Sequence, residues 1–171
     1  MNDSDKKMLL IAGIPAAGKS HFCAWLAEHH GFVHVDPERP GCLDQLSITG
    51  AWGQALRDDD PTELLSALRA LGPRVVLDWG FPPHRIDFVE ELKEIGVALW
   101  WFDADHGRAR EEVIGLRAGS QAALDIQMPA IQERSDHLRE LFHPNIILVL
   151  DSAGRRMDSN DIWQAISRRT A

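Results

Sequence analysis

Cysteine is scarce in this chain of 171 residues, occurring only at positions 23 and 42. Cys23 and Cys42 form neither a CxxC pair nor a metal-binding spacing, which excludes a disulfide scaffold, and a reducing compartment would leave both as thiols. Long apolar runs are also missing. The longest clean ones, Val97 to Phe102 and Ile146 to Leu150, fall far short of the roughly 20 residues that a bilayer demands, so no membrane association is read. Positive charge is in deficit: 18 Lys+Arg against 26 Asp+Glu leave a net charge of −8. That balance opposes non-specific attraction to nucleic acid or to anionic membranes. Eight histidines are present but no HExxH. His29 and His30, adjacent on an expected helix, diverge by about 100° around its axis, so spacing offers no histidine metal site. The start, MNDSDKKMLL, is acidic and polar rather than basic then apolar, and a cytoplasmic protein is expected. Neither an internal repeat nor a low-complexity tract occurs.

What remains is an ordinary globular composition, 44% hydrophobic and 26% charged, in a length that suits one domain spanning residues 1–171. Apolar runs alternate with amphipathic stretches, the pattern of repeated strand–helix–strand units around a parallel sheet. Strands are expected at Met8–Ala12, Phe32–Asp36, Arg74–Asp78, Val97–Phe102 and Asn145–Asp151. The second, interrupted by His34, reads as an edge, whereas the others are nearly continuous apolar runs covered on both faces. Helices are expected from Gly18 to His30, stopped by Gly31; from Asp60-Pro61 to Gly72, with Asp60 as cap and Glu63 reaching back; from His84 to Ile95; and from Ser159 onward. Residues 37–59 read as a long connection with a short helix near Ala51–Leu56. Residues 103–128 carry Arg108, Arg110 and Arg117 with Gly107, Gly115 and Gly119 between them, and read either as a movable basic flap or as an irregular helix.

The stretch GIPAAGKS, Gly13 to Ser20, joins the first strand to the first helix and matches G-x-x-x-x-G-K-[ST] at every required position. Gly13 and Gly18 permit backbone angles that let successive N–H groups converge on phosphate oxygens. The helix that follows aims its unpaired amides and the positive end of its dipole at the same point. Lys19 would bring a mobile charge to the terminal phosphates, and Ser20 a hydroxyl to Mg²⁺. The chemistry points to a triphosphate, with the cradle assigned to Gly13, Pro15, Ala16, Ala17, Gly18, Lys19, Ser20 and His21.

GIPAAGKS is a Walker A motif, and the chain resembles the P-loop kinase group, in particular the small zeta-toxin-like, chloramphenicol-phosphotransferase-like and polynucleotide-kinase-like phosphotransferases. The resemblance implies a three-layer α/β/α fold, a five-stranded parallel sheet of order 2-3-1-4-5 and a small helical lid, here roughly residues 104–128. It also implies ATP and Mg²⁺ as cofactors, and γ-phosphate transfer to a substrate held over the carboxyl ends of the strands. In such kinases the loop after the last strand touches adenine, which here corresponds to Asp151–Arg155. GTP-specific proteins resemble one another in an Asn-Lys-x-Asp motif that is absent, so ATP is favoured.

Motor-type ATPases resemble one another in a strand ending Asp-Glu, whose glutamate activates water. Here the strand reads Val75-Val76-Leu77-Asp78-Trp79, which lacks that base and favours transfer to a bound acceptor. An acceptor hydroxyl needs a carboxylate, and the similar kinases carry an acid at the end of the second strand. Asp36 matches by position, with turn initiation at Asp36-Pro37 as its other role. Asp78 is assigned to the Mg²⁺ shell or to a substrate contact, and Arg117 to the charge that develops during transfer. Trp52, Trp79 and Phe81 are candidates for lining an acceptor pocket, whereas Trp100 and Trp101 belong to the core. The expectation is an ATP-dependent phosphotransferase acting on a hydroxyl or phosphate of a small molecule or nucleotide. The alternative is an ATP-binding regulatory module with weak or no hydrolysis.

Overall fold

In the computed structural model of the chain, residues 7–107 and 120–169 are described. Five strands, β1 (Lys7–Gly13), β2 (Val33–Val35), β3 (Arg74–Asp78), β4 (Ala98–Ala104) and β5 (Ile146–Leu150), form one sheet. All pairings are parallel, in the order β2-β3-β1-β4-β5. β1 is central, aligned so that Ile11 lies beside Asp78 on one side and Trp100 on the other. Its residues Leu9 to Gly13 are all buried, which explains why the run lacks polar alternation. The second strand is an edge, as its composition implies, but spans only Val33–Val35. Asp36 leaves the ladder because its side chain serves the next turn.

Helix α1 (Lys19–His30) ends at Gly31, whose φ of 67 lets its N–H reach back to the Leu26 carbonyl. The connection after β2 contains α2 (Cys42–Gln45) and α3 (Thr49–Asp58). The latter is longer than the expected Ala51–Leu56 because burial of Trp52 and Ala55 outweighs the poor helix propensity of Gly50 and Gly53. Helix α4 (Thr62–Leu71) starts one residue later than a Pro61 start implies. Pro61 takes the cap position, and the Asp60 carboxylate accepts the Thr62 N–H at 2.9 Å. A single 3₁₀ turn (Pro83–Arg85) precedes α5 (Ile86–Glu94). Helices α6 (Ser120–Glu133), α7 (Ser135–Phe142) and α8 (Ser159–Arg169) complete the described chain.

Two helical layers cover the sheet. On one face, Phe22 of α1 meets Phe102 with ring centroids 5.3 Å apart, and Arg169 of α8 lies over Trp100. On the other, Phe142 of α7 packs at 5.2 Å from Trp101, and Phe88 of α5 meets Trp79. Trp52, Trp79 and Phe81 are at most 8% exposed. Trp52 and Phe81 contact Trp79 edge-on and tilted, so all three belong to the aromatic core.

Candidate functional site

Because β1 is flanked on both sides, its carboxyl end delivers the glycine loop to the middle of one sheet edge. Gly13 has φ 142, and a Cβ placed there would lie 2.1 Å from the Phe102 carbonyl oxygen, an impossible approach. The next amide, Ile14 N–H, donates to that oxygen at 3.1 Å. Ala16 (φ 64) and Gly18 (φ 81) are both left-handed, a backbone alternation that turns successive N–H groups inward. For Ala16 this conformation carries strain that no sequence rule for alanine foretells.

Helix α1 starts with no side-chain cap at Gly18. Its first ladder bond runs from Phe22 N–H to the Gly18 carbonyl at 3.0 Å, so the amides of Lys19, Ser20 and His21 precede the ladder. Ser20 and His21 are exposed at this end, where the helix dipole favours negative charge. The Lys19 ammonium curls beneath the loop, donating to the Gly13 and Ile14 carbonyls at 3.1 and 3.0 Å. From the opposite side, Arg156 donates to the Ala17 and Ala16 carbonyls, both at 3.3 Å. Arg156 was not legible as a site residue. It lies one position beyond the loop that the family resemblance assigns to adenine, and its placement depends on the Leu150 to Arg156 bridge.

Acids gather on the β2–β3 side of Lys19. Asp78, at 4% exposure, is the one buried charged residue among those described. Its Oδ2 lies 3.2 Å from Nε2 of His34 on the neighbouring strand. Asp36 is half-buried just past β2, and its Oδ1 accepts the N–H groups of Glu38 and Arg39 at 3.0 and 3.1 Å. Gly80 leaves room between these groups: a Cβ there would come within 3.7 Å of Lys19 Nζ and 4.0 Å of Glu38 Oε1. Burial pulls the Lys19 ammonium below the ordinary lysine range, opposed by the charges of Asp78 and Glu38. Loss of water pushes the Glu38 carboxyl up, with Lys19 opposing and Asp36 and Asp78 adding to the rise.

Among the described residues, two cavities adjoin the loop. A small one of 90 Å³ lies between α1 and α8, lined by Gly18, His21, Phe22, Val149 and Arg156 among others. A larger one of 270 Å³ lies between the sheet and α6–α7, where Trp101, Ile131 and Leu138 form apolar walls and Asp103, Gln132, Ser135 and Arg139 add polar groups. Ile14 of the glycine loop closes one side of this cavity. The structure thus brings Lys19, Asp36 and Asp78 to one sheet edge. Arg117, Arg108 and Arg110, with Gly115 and Gly119, lie outside the described residues.

No protein-family model and no curated protein matches this chain in sequence. Solved structures match it over nearly its whole length. A shikimate kinase from Bacteroides thetaiotaomicron gives a TM-score of 0.59 at 16% identity, covering 95% of this chain and 96% of its own. A gluconokinase from Sinorhizobium meliloti 1021 gives 0.52 at 16% identity, covering 97% and 94%. A shikimate kinase from Acinetobacter baumannii, solved with shikimate, gives 0.55 at 12% identity, covering 96% and 93%. The chain thus shares the α/β fold of these three structures. The expected sheet order is therefore the observed one, and no helix among the described residues is long and apolar enough to cross a membrane.

Proposed function

We propose that the chain is an ATP-dependent phosphotransferase that moves the γ-phosphate to a hydroxyl or phosphate of a small molecule or nucleotide. The observation that carries the reading is the loop itself. Uncapped amides of α1, left-handed Ala16 and Gly18, and a half-buried ammonium converge at the end of the central strand. A nest of this kind is built for several negative charges. The residues fit Mg·ATP: the exposed Ser20 hydroxyl would hold Mg²⁺ directly, and the Asp78 carboxylate, whose Oδ2 faces His34, would reach the Mg²⁺ shell through water. When bound, the metal nucleotide would supply the transferable phosphoryl group and the metal would neutralise phosphate charge.

In this reading the amides between Ala16 and His21 bind phosphate oxygens, and Lys19 exchanges its loop carbonyls for a terminal phosphate. The base takes the cavity beside His21 and Arg156, and the acceptor takes the side bounded by Asp36, Glu38 and Gly80. With Oδ1 holding the turn, Asp36 has Oδ2 as its acceptor-orienting oxygen. Arg117, which lies outside the described residues, would meet the developing charge. The gluconokinase and shikimate kinases that share the fold act on small molecules, as their names state, which favours a small-molecule acceptor over a macromolecule. Localisation in the cytoplasm belongs to the same proposal.

The test is labelled ATP with panels of hydroxy acids, nucleosides and nucleotides. A labelled product is expected, and Asp36→Asn should keep nucleotide affinity while losing transfer. Slow phosphate release with no labelled product would instead support the ATP-binding regulatory module.

A further inference from the structure

Beneath the loop, a thiol, an imidazole and a carboxylate from three different elements meet. Cys23 Sγ of α1, a His34 ring nitrogen of β2 and an Asp78 carboxylate oxygen of β3 all lie within 4.8 Å of one another. None is a surface group: Cys23 is fully buried, and the side chains of His34 and Asp78 are 10% and 4% exposed. We propose that these three residues form a site for a divalent ion of the thiolate- and imidazole-binding class, zinc above all.

Donor chemistry selects the ion. A mixed sulfur, nitrogen and oxygen set suits Zn²⁺, whereas Mg²⁺ calls for six oxygens and finds one carboxylate here. Geometry agrees. Two tetrahedral ligands held about 2.0 Å from zinc stand about 3.3 Å apart, and His34 Nε2 to Asp78 Oδ2 is 3.2 Å. The sulfur lies within 4.8 Å of both, and since a thiolate about 2.3 Å from zinc stands about 3.5 Å from its neighbouring ligands, it has at most about 1.3 Å to close. Three protein ligands leave a fourth position for water or another oxygen donor.

Charge agrees as well. In the metal-free site burial and the Asp78 charge hold Cys23 as a neutral thiol. Binding breaks the Cys23 S–H bond, forms an S–metal bond and releases that proton to solvent, while the Nε2–H that His34 points at Asp78 gives way to the metal and the ring takes up a proton on Nδ1 in exchange, so that one proton is released in all. One thiolate and one carboxylate then cancel the two charges of the ion. The neutral unit neither repels the Lys19 ammonium nor places net charge in the interior. No motif scan finds such a site, because residues 23, 34 and 78 are joined only by the packing of α1 on β2 and β3.

The experiment is a Co²⁺ titration of tag-free, freshly reduced protein, followed by competition with Zn²⁺. The expected result is a thiolate-to-cobalt charge-transfer band that saturates at one ion per chain, with about one proton released per ion. Zinc should abolish the band. Histidine-only binding elsewhere cannot produce it, so the intact protein alone decides: no charge-transfer band overturns the proposal. Cys23→Ser should lose the band and Cys42→Ser should keep it, since the Cys42 sulfur is engaged with Arg39 and the Asp36 amide. The reverse outcome also overturns it. His34→Ala should weaken binding by more than the roughly 10–100-fold typical of outer-shell losses. If Cys23→Ser melts at too low a temperature to assay, Asp78→Asn and His34→Ala with the intact protein still decide. Lys19→Ala, which should abolish nucleotide binding, should leave cobalt binding intact or tighter, so this proposal and the kinase reading fail separately.

Discussion

Gly13→Ala is the sharpest test of how the loop is held. The new Cβ would fall 2.1 Å from the Phe102 carbonyl oxygen and 2.8 Å from the Phe102 nitrogen, both backbone atoms of a paired strand that cannot swing aside. Three costs combine: an alanine at φ 142, about 1–3 kcal/mol; overpacking, about 1–3 kcal/mol; and loss of the Ile14 to Phe102 hydrogen bond, about 0.5–1.5 kcal/mol. Together they amount to about 2.5–7.5 kcal/mol, which at roughly 2–4 °C per kcal/mol for a chain of this size lowers the melting temperature by about 5–30 °C. Gly31→Ala is the control. It also has a positive φ, 67, but a Cβ there meets nothing within 4 Å, so only the dihedral cost of about 1 kcal/mol applies. Thermal melts followed by circular dichroism compare the two. Equal shifts for both variants, or a Gly13→Ala melt within 2 °C or so of the parent, would refute the claim that contact with β4 fixes this glycine.

The remaining predictions concern charge and packing. Burial lowers the Lys19 pKa, so the folded state holds this proton less tightly than the unfolded chain, and stability rises with pH between the lowered folded value and the ordinary lysine value. Over the same window Mg·ATP affinity should fall, because the ammonium form binds phosphate. Calorimetric titrations across alkaline pH check this, and Lys19→Met should flatten both trends. Arg156→Ala removes two hydrogen bonds to loop carbonyls, and nucleotide affinity measured by calorimetry should drop by about tenfold, with a loss of stability near 1–2 kcal/mol. Trp79→Ala empties the centre of an aromatic cluster that is 5% exposed at Trp79 and should cost about 3–5 kcal/mol in urea unfolding. A near-neutral result there would return Trp79 to the list of acceptor-lining residues.

Much of the scaffold was readable because single-strand patterns carried it. β3 is read at Arg74–Asp78 with the observed bounds, since a buried parallel strand between a Gly-Pro turn and a tryptophan leaves little freedom. β2 was read too long, because hydrophobicity does not reveal that Asp36 spends an oxygen on the amides of Glu38 and Arg39. The loop was legible from GIPAAGKS, whereas the left-handed Ala16 was not, since alanine carries no signal for that conformation, and neither was Arg156, whose contacts to the loop span more than a hundred residues. The proximity of His34 to Asp78 was invisible for the same reason. It requires the β2–β3 register that places His34 beside Val76.

The position of β1 in the sheet bears on how the protein is born. β1 precedes both of its neighbours in the chain and waits for them, since its partners run from Arg74 to Asp78 and from Ala98 to Phe102. At translation rates of about 5–20 residues per second, the glycine loop emerges roughly 5–20 s before the Phe102 carbonyl that braces it. During that interval the nascent chain exposes a buried-type strand and has no anion nest. Nucleotide supplied to the ribosome-bound intermediate can therefore act on folding only after the fourth strand has left the exit tunnel.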